Sequence, residues 1–369
     1  MSWTGYREFI LHRKQTETED VTSFYLRPKD PTEDSLPAYQ PGQHLSFKFE
    51  IPGQEKPVFR FYTLSESYRP EHYRISVKRE PDGLASVYLH DQLQVGDSLQ
   101  VKAPKGNFHL DPAAASPVIF IAGGIGITPL FAMLEAAHQA GDPRECWFFN
   151  GIRDRAHFPF QAAIHEIADS TALQLETTVC ISHEEGCDVT ELAGADHVLQ
   201  EMITSKLIQG SVPAAALAAA DIYLCGPTSM MTDITAGLLD LGVTEARIHT
   251  ESFGPASTAY AEKTAEKTAE TAPENADLSD AAGSSKAMIR FTQSDLEIEW
   301  DDSFNCLWEL AEANGVDIDS GCLYGDCGTC MTDLTSGEVA YNHPPAATPD
   351  EGSCLPCCCK PVGTIELDA

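Results

Sequence analysis

The chain has 369 residues, 43% of them hydrophobic, as expected of a folded protein with two or three domains. It carries 56 acidic and 24 basic residues, for a formal net charge of −32 at pH 7. That charge excludes nucleic acids and anionic membranes as electrostatic partners and favours a partner with a basic docking patch. The same acidity is equally consistent with a protein that only needs to stay soluble.

The first fourteen residues carry charges throughout and lack the apolar stretch of an export signal. The uncharged run at 112–134 is interrupted by prolines and glycines, so it predicts a strand, a turn and a helix rather than a membrane span. Twelve cysteines without an export signal predict reduced thiols and metal ligands, not disulfides. We therefore expect a cytoplasmic protein that is not bound to a membrane, and we expect it to be a monomer.

Residues 1–112 have the pattern of a small β domain. Short alternating or apolar runs are separated by turn sequences rich in proline and glycine. The runs are 7–11, 21–26, 44–49, 58–64, 73–78 and 99–101. They predict a six-stranded antiparallel barrel with one helix, at about 84–92.

From residue 113 to 255 the pattern changes to alternating strands and helices. The run at 118–122 is continuously apolar, as in a strand buried on both faces. Further strand candidates at 146–150, 173–179, 221–224 and 247–250 alternate with helical segments, including 227–241. This alternation predicts a parallel sheet in an α/β nucleotide-binding domain.

Residues 256–286 are rich in Ala, Glu, Thr and Ser and predict a flexible linker. A third unit at 287–369 begins with a predicted hairpin, and Ser303 is the expected N-cap of a following helix. This unit holds sixteen acidic residues against two basic ones, Arg290 and Lys360.

Three cysteines of the third unit follow the spacing C-x4-C-x2-C: Cys322, Cys327 and Cys330. This spacing is typical of the loop that binds a [2Fe–2S] cluster of plant ferredoxin type. The glycines between the cysteines allow the backbone N–H groups to turn inward toward the cluster. A structural zinc site is the alternative, although zinc sites usually use paired C-x2-4-C knuckles. The fourth ligand must come from Cys354, Cys357, Cys358 or Cys359.

A glycine loop follows the strand at 118–122 and opens a helix. It contains Gly123, Gly124 and Gly126, with Thr128 as a candidate cap and Pro129 suited to the first helical turn. A helix N-terminus presented in this way binds a pyrophosphate. The third glycine of the common dinucleotide fingerprint is missing, and an ordinary α/β turn is the alternative.

These segments resemble motifs of the ferredoxin–NADP reductase superfamily. The glycine loop is similar to the superfamily's pyridine-nucleotide loop, and Cys225-Gly226-Pro227 is similar to its second nucleotide motif. The resemblance implies that Cys225 and the Gly226-Pro227 turn lie beside the nicotinamide.

Arg60-Phe61-Tyr62-Thr63 resembles the flavin motif of the same superfamily, although an ordinary aromatic strand is the alternative. The resemblance implies that Arg60 pairs with the flavin phosphate, that Tyr62 packs on the isoalloxazine and that the Thr63 hydroxyl reaches toward its N5. Ser86, at a helix start, is implied to bind the pyrophosphate.

Two further motifs complete the resemblance. The segment from Glu251 to Phe253 resembles the closing motif, whose glutamate and aromatic residue approach the flavin, although Phe253 is equally consistent with a core residue. In plant-type ferredoxins the last ligand lies four residues before a proline or small residue that opens the final strand. With Pro361 in that place, Cys357 is the implied ligand, Cys358 and Cys359 are second choices, and Cys354 is the weakest.

The resemblance covers nearly the whole chain outside the linker, and residues 1–255 look most like the reductase half of flavohaemoglobins. It implies FAD rather than FMN, NAD(P)H, and a β-grasp ferredoxin domain with a [2Fe–2S] cluster. The implied activity is electron transfer from NAD(P)H through FAD and the cluster to an oxygenase, demethylase or hybrid-cluster protein. In this activity the hydride-transfer site is positioned and tuned by Thr63, Cys225 and Glu251.

Two alternatives stay open for the activity. One is a stand-alone flavin or nitric-oxide-related reductase, and the other is an electron carrier without its own NAD(P)H activity. The choice between NADH and NADPH is also open. Arg153 and Arg155 suit a 2′-phosphate, but Asp154 between them does not.

Overall fold

The computed structural model describes residues 3–30, 36–183, 192–253, 287–325, 327–345 and 347–369. The described residues divide into two compact units, one ending at Phe253 and the other made of the residues from 287 onward. The predicted linker at 256–286 lies outside the described residues.

The first unit begins with a six-stranded antiparallel sheet. Its strands are β1 (Arg7–Thr16), β2 (Val21–Pro28), β3 (His44–Phe49), β4 (Val58–Thr63), β5 (Tyr73–Lys78) and β6 (Ser98–Val101), in the order β4-β3-β6-β1-β2-β5. Leu64, directly after β4, bridges Ile75 of β5, so the two edges of the sheet meet. The predicted barrel is confirmed, and its strands bury apolar side chains such as Phe24, Phe47 and Phe49.

The helix predicted at about 84–92 forms in two parts. An α-helical turn, α1 (Leu84–Val87), continues directly as a π-helical turn at Tyr88–Gln92. Leu89 is buried and joins the barrel core, which anchors the π turn.

The second sheet of this unit is parallel throughout. Its strands are β7 (Val118–Gly123), β8 (Glu145–Ile152), β9 (Gln174–Ile181), β10 (His197–Leu199), β11 (Asp221–Cys225) and β12 (Ile248–Glu251), in the order β10-β9-β8-β7-β11-β12. Its helices are α2 (Ile127–Ala140), α3 (Gln161–Ala168), α4 (Ser205–Ser211), α5 (Ala214–Ala219) and α6 (Thr228–Asp240). The chain winds outward from β7 to β10 and then returns to β11 on the other side of β7. A ligand crevice is expected at such a switch point, beyond the carboxyl ends of β7 and β11.

The start of α2 differs from the expectation in one detail. The N-cap is Gly126, no side chain caps the helix, and the Thr128 hydroxyl donates a 3.0 Å hydrogen bond to the Ile125 carbonyl. Thr128 therefore lies one residue inside the helix, where its hydroxyl cannot reach the first free N–H groups. At the other end Gly141 adopts the left-handed conformation of a common helix C-cap, with φ 60°.

The second unit is a mixed sheet with one α-helix and one 3-10 turn, Pro356–Cys358, among its described residues. Its elements are β13 (Met288–Phe291), β14 (Leu296–Glu299), α7 (Leu307–Ala313), β15 (Thr332–Tyr341), β16 (Ser353–Cys354) and β17 (Cys359–Leu367). The strand order is β14-β13-β17-β15-β16, and β13 pairs with β17 in parallel. This sheet with its packed helix confirms the predicted fold class.

Ser303 is not the N-cap of α7. Its backbone N–H and its hydroxyl both bond to the Asp301 carboxylate, and this turn uses up the hydroxyl. The helix begins later, at Leu307, and the Glu309 side chain reaches back to the Asn305 N–H at 2.9 Å. Within the described ranges, no helix has the length and apolar character needed to cross a bilayer.

Candidate functional site

The two predicted nucleotide motifs meet at the switch point of the parallel sheet. β7 ends at Gly123 and β11 at Cys225, and the two strands are paired at Ala122 and Cys225. A Cβ on Gly126 would lie 2.3 Å from the Cys225 carbonyl oxygen, and a Cβ on Gly226 would lie 3.1 Å from the Gly123 nitrogen. Glycine is therefore required at Gly126 for the backbones to approach this closely, and at Gly226 a Cβ would fit only if the neighbouring backbone shifted slightly.

The neighbouring strand brings Glu251 to the same edge. Cys225 pairs with Glu251 in the register of β11 and β12. Cys225 is fully buried, and burial, together with the nearby Glu251 carboxylate, raises the pKa of its thiol well above the usual range. This thiol stays protonated and suits packing better than nucleophilic chemistry. Phe253 is 44% exposed, so its interpretation as a core residue is wrong.

The predicted flavin residues lie on β4. Arg60 is exposed, and Tyr62 packs edge-on against Phe47 with ring centres 5.7 Å apart. Burial raises the pKa of Tyr62 above its usual value. Thr63 is buried at the end of the strand, opposite His44 of β3. β4 thus presents a cation, an aromatic ring and a hydroxyl within four consecutive residues.

The Ser86 hydroxyl forms hydrogen bonds within its own turn, although the sequence predicts that it binds a pyrophosphate. Its hydroxyl accepts from the Glu80 N–H at 3.2 Å and lies 3.3 Å from the Gly83 carbonyl oxygen. A Cβ on Gly83 would lie only 2.3 Å from this hydroxyl oxygen. The hydroxyl therefore closes the turn before α1, and its role toward a cofactor stays a prediction.

The sequence analysis missed Asn150, near the end of β8. It pairs with Ala122 in β7, directly before the glycine loop, and is fully buried. Neither amide atom bonds to another described residue. A buried amide without partners needs an explanation, and its place beside the loop makes it a candidate for contact with a bound nucleotide. The sequence signal that could have indicated Asn150 is its position as a polar residue at the end of the apolar run Trp147-Phe148-Phe149.

In the second unit the four cysteines predicted to hold the cluster form two close pairs, and Cys354 and Cys359 form a separate one. Cys322 and Cys327 pair in the loop, where the Cys322 N–H lies 3.3 Å from the Cys327 sulfur and the Cys327 N–H lies 3.4 Å from the Cys322 sulfur. Cys330 and Cys357 form the other pair, with sulfurs 3.1 Å apart. Among the described residues no three metal-binding side chains converge on a single point. Two thiol pairs match the two irons of a [2Fe–2S] cluster better than one tetrahedral zinc ion.

The loop fits a cluster in two further respects. A hydrogen bond between the Cys322 and Cys327 thiols lowers the pKa of Cys327 and raises that of Cys322, so the pair favours a thiolate at Cys327, the form that binds iron. A Cβ on Gly321 would lie 2.9 Å from the Cys327 sulfur, so only glycine leaves room there. Cys327 is exposed, whereas Cys330 is buried, so one thiol pair lies nearer to solvent.

The other cysteines are buried thiols. Cys358 lies behind the loop, since a Cβ on Gly325 would be 2.7 Å from its sulfur. The remaining buried ones are Cys146, Cys180, Cys306, Cys354 and Cys359. Cys187 lies outside the described residues.

Three family models match the chain in order. They are an oxidoreductase FAD-binding domain over residues 8–110, an oxidoreductase NAD-binding domain over 120–236, and a 2Fe-2S iron-sulfur cluster binding domain over 289–362. The predicted oxidoreductase class and the predicted cofactors FAD, NAD(P)H and [2Fe–2S] are confirmed.

Similar curated proteins include two flavohemoproteins. That of Rhizobium meliloti is 37% identical over 260 residues, covering 69% of this chain and 62% of the relative. That of Deinococcus radiodurans is 38% identical over 261 residues, covering 69% of this chain and 61% of the relative. The chain thus spans about three-fifths of the length of these relatives.

Two solved structures extend the comparison. The FAD/NAD-binding domain of nitric oxide dioxygenase from Vibrio cholerae is 32% identical with a TM-score of 0.59, covering 68% of this chain and all of that one. Phthalate dioxygenase reductase, described as a modular structure for electron transfer from pyridine nucleotides to [2Fe–2S], has a TM-score of 0.65. The match covers 99% of this chain and 98% of the reductase chain, at 24% sequence identity. It shows that each unit has the same fold as its counterpart in the reductase.

Proposed function

We propose that this chain, which belongs to the ferredoxin–NADP reductase superfamily and carries a C-terminal [2Fe–2S] domain, passes electrons from NAD(P)H through FAD to the cluster and on to a partner redox protein. The observation that carries the proposal is the presence of both ends of this route in one chain. The first unit has a nucleotide crevice at a sheet switch point, and the second has two thiol pairs with cluster spacing. FAD accepts electrons in pairs from a nicotinamide and releases them singly, which a one-electron cluster requires.

On the nucleotide side, the N-terminus of α2 and the loop of Gly123, Gly124 and Gly126 bind the pyrophosphate of NAD(P)H. The free N–H groups at the start of this helix donate to phosphate oxygens, and the helix dipole favours their negative charge. Pro129 lies in the first turn and Thr128 tightens it from within. Cys225, Gly226 and Pro227 form the opposite wall and orient the nicotinamide.

On the flavin side, Arg60 binds a phosphate of FAD with its exposed guanidinium. Tyr62 would pack on the ring system of a bound flavin, and the Thr63 hydroxyl would donate a hydrogen bond toward it. Glu251 and Phe253 approach from the end of β12. None of these residues needs to accept or donate a proton in the hydride step, so Thr63, Cys225 and Glu251 act by positioning.

Cys322, Cys327, Cys330 and Cys357 hold the cluster in this proposal. The first pair lies nearer to solvent than the second, so iron held by the first pair would be the more accessible to an external acceptor. The acceptor we propose is a protein with a basic docking patch, such as an oxygenase, a demethylase or a hybrid-cluster protein. The charge of residues 287–369, two basic residues against sixteen acidic ones, supports this choice.

The test is an anaerobic NAD(P)H titration of the purified protein and of its Cys330→Ala variant. The wild-type protein should contain two irons and two acid-labile sulfides, bleach in the flavin band and reduce cytochrome c. The variant should lose iron and cytochrome c reduction but keep flavin reduction. Full cytochrome c reduction by the variant would favour a stand-alone flavin reductase, and absence of flavin reduction in both proteins would favour a pure electron carrier.

We infer a preference for NADH from the loop after β8. Asp154 engages Arg153 at 3.2 Å and His157 at 2.6 Å, so its carboxylate offsets the positive charge that a 2′-phosphate would need. The KM for NADPH should exceed that for NADH, and Asp154→Ala should narrow the difference. A lower KM for NADPH in the wild-type protein would contradict the inference.

A further inference from the structure

One buried guanidinium lies between the barrel and the parallel sheet of the first unit. Arg74 belongs to β5 of the barrel and is only 9% exposed. Its guanidinium carbon lies 5.0 Å from the ring centre of Phe160 and 5.5 Å from that of Phe131. The two rings are stacked 4.6 Å apart at an angle of 15°. Phe131 lies in α2 and Phe160 directly precedes α3, so both belong to the nucleotide half.

The same guanidinium also contacts the segment that continues β4. Arg74 donates from Nη2 to the Ser65 carbonyl oxygen, and its Nε lies 3.7 Å from a carboxylate oxygen of Glu66. Ser65 and Glu66 follow the flavin residue Thr63 by two and three positions. Both are buried, so the contact is shielded from solvent.

Phe131, one of the two rings that contact Arg74, belongs to the helix that follows the nucleotide loop. Phe131 lies in the second turn of α2, the helix that begins at the glycine loop, and is 1% exposed. A displacement of Phe131 therefore moves the start of the helix. We propose that Arg74 is a positioning residue that fixes the nucleotide loop relative to the flavin strand and so sets the distance for hydride transfer. The inference rests on the proposed function.

Arginine suits this position for a chemical reason. Its planar guanidinium can stack on aromatic faces while its edge donates hydrogen bonds, which a lysine ammonium cannot do together. Other contacts also join the two halves: Ser67 N–H donates to Glu135 at 2.6 Å and Arg69 pairs with Glu135 at 3.2 Å. Arg69 is 37% exposed, so this pair lies at the rim and holds the orientation less firmly.

The experiment compares three variants of the full holoprotein: Arg74→Lys, Phe131→Leu and the rim control Arg69→Gln. Arg74→Lys keeps a cation beside the buried Glu66, which also has His72 at 2.9 Å. Phe131→Leu removes one face of the stack and changes no charge. The readouts are flavin content, the dissociation constant of ADP-ribose, and the limiting rate of flavin reduction by NADH in anaerobic stopped flow.

We expect the limiting rate to fall about tenfold or more in Arg74→Lys and Phe131→Leu, because small misplacements of reacting groups are costly. Flavin content and ADP-ribose affinity should stay within about twofold of wild type, and Arg69→Gln should keep the wild-type rate. Wild-type rates in both test variants would overturn the inference, as would a parallel loss of ADP-ribose affinity. If Arg74→Lys does not fold, the limiting rate of flavin reduction in Phe131→Leu tests the inference by itself. Absence of flavin reduction in the wild-type protein would refute the proposed function instead.

Discussion

Replacement of Gly126 by alanine should damage the nucleotide crevice. The added Cβ would lie 2.3 Å from the Cys225 carbonyl oxygen, 2.5 Å from its carbonyl carbon and 2.7 Å from the Gly226 nitrogen. All three are backbone atoms at the end of a paired strand, so none can rotate away. The helix start and the Cys225 turn must therefore separate. Gly126 has φ −60°, so the cost comes from the collision and not from the backbone conformation.

The size of the effect follows from overpacking. An extra methyl group in a well-packed region costs about 1–3 kcal/mol. If that whole cost appears in nucleotide binding, the dissociation constant rises roughly 5- to 150-fold. If it appears in folding instead, the free energy of unfolding falls by the same amount. The sum of the two losses should therefore reach at least about 1 kcal/mol.

The assay combines isothermal titration with ADP-ribose and denaturant unfolding of the same samples. The control is Gly141→Ala, at the far end of α2, where φ is +60° and no atom lies within 4 Å of the new Cβ. This control should lose about 1–2 kcal/mol of stability through backbone strain and keep wild-type affinity. If Gly126→Ala matched the wild type in both affinity and stability, the close approach of the two motifs would be wrong.

Three further predictions concern the flavin, the cluster and the partner. Thr63→Ala should slow flavin reduction by NAD(P)H more than it weakens flavin binding, and an unchanged rate in stopped flow would refute the role of its hydroxyl. Cys357→Ala should lose iron and acid-labile sulfide while Cys358→Ala keeps both, because the Cys357 sulfur lies 3.1 Å from that of Cys330; the reverse result would assign Cys358 as the ligand. Electron transfer to the protein acceptor should slow as ionic strength rises, since residues 287–369 carry a formal charge of 2 − 16 = −14. A rate that is independent of salt would contradict docking through a basic patch.

The barrel and the parallel sheet were predictable because short segments of the sequence carry the patterns of the strands and turns that form them. Strand alternation and turn residues marked all six barrel strands, and a continuous apolar run marked β7 of the parallel sheet. β10 was missed because it has only three residues, none of them buried. β15 was missed because only Thr332 of its ten residues is buried, so no apolar period appears in the sequence.

The N-cap of α7 shows how two local signals compete. Ser303 is a good cap by residue type, but Asp301 lies two positions earlier and accepts both of its polar hydrogens. An Asx turn of this kind forms within three residues, whereas capping must wait for a helical turn. The helix therefore begins beyond the turn. A sequence rule that scores caps one residue at a time cannot detect this competition.

The parts of the site that sequence motifs revealed are those where chemistry requires a residue type at a fixed spacing, such as the glycines and cysteines. Arg74 and Asn150 escaped that reasoning for a physical reason. Each has a functional meaning only through partners far away in sequence: Arg74 through Phe131 and Phe160, and Asn150 through Ala122. A strand pattern accepts either residue as an ordinary polar position, and only burial reveals the difference. Because a buried polar group without partners is costly, Asn150 indicates where the protein expects a ligand to supply the missing contact, whereas the contacts of Arg74 come from the nucleotide half of the same unit.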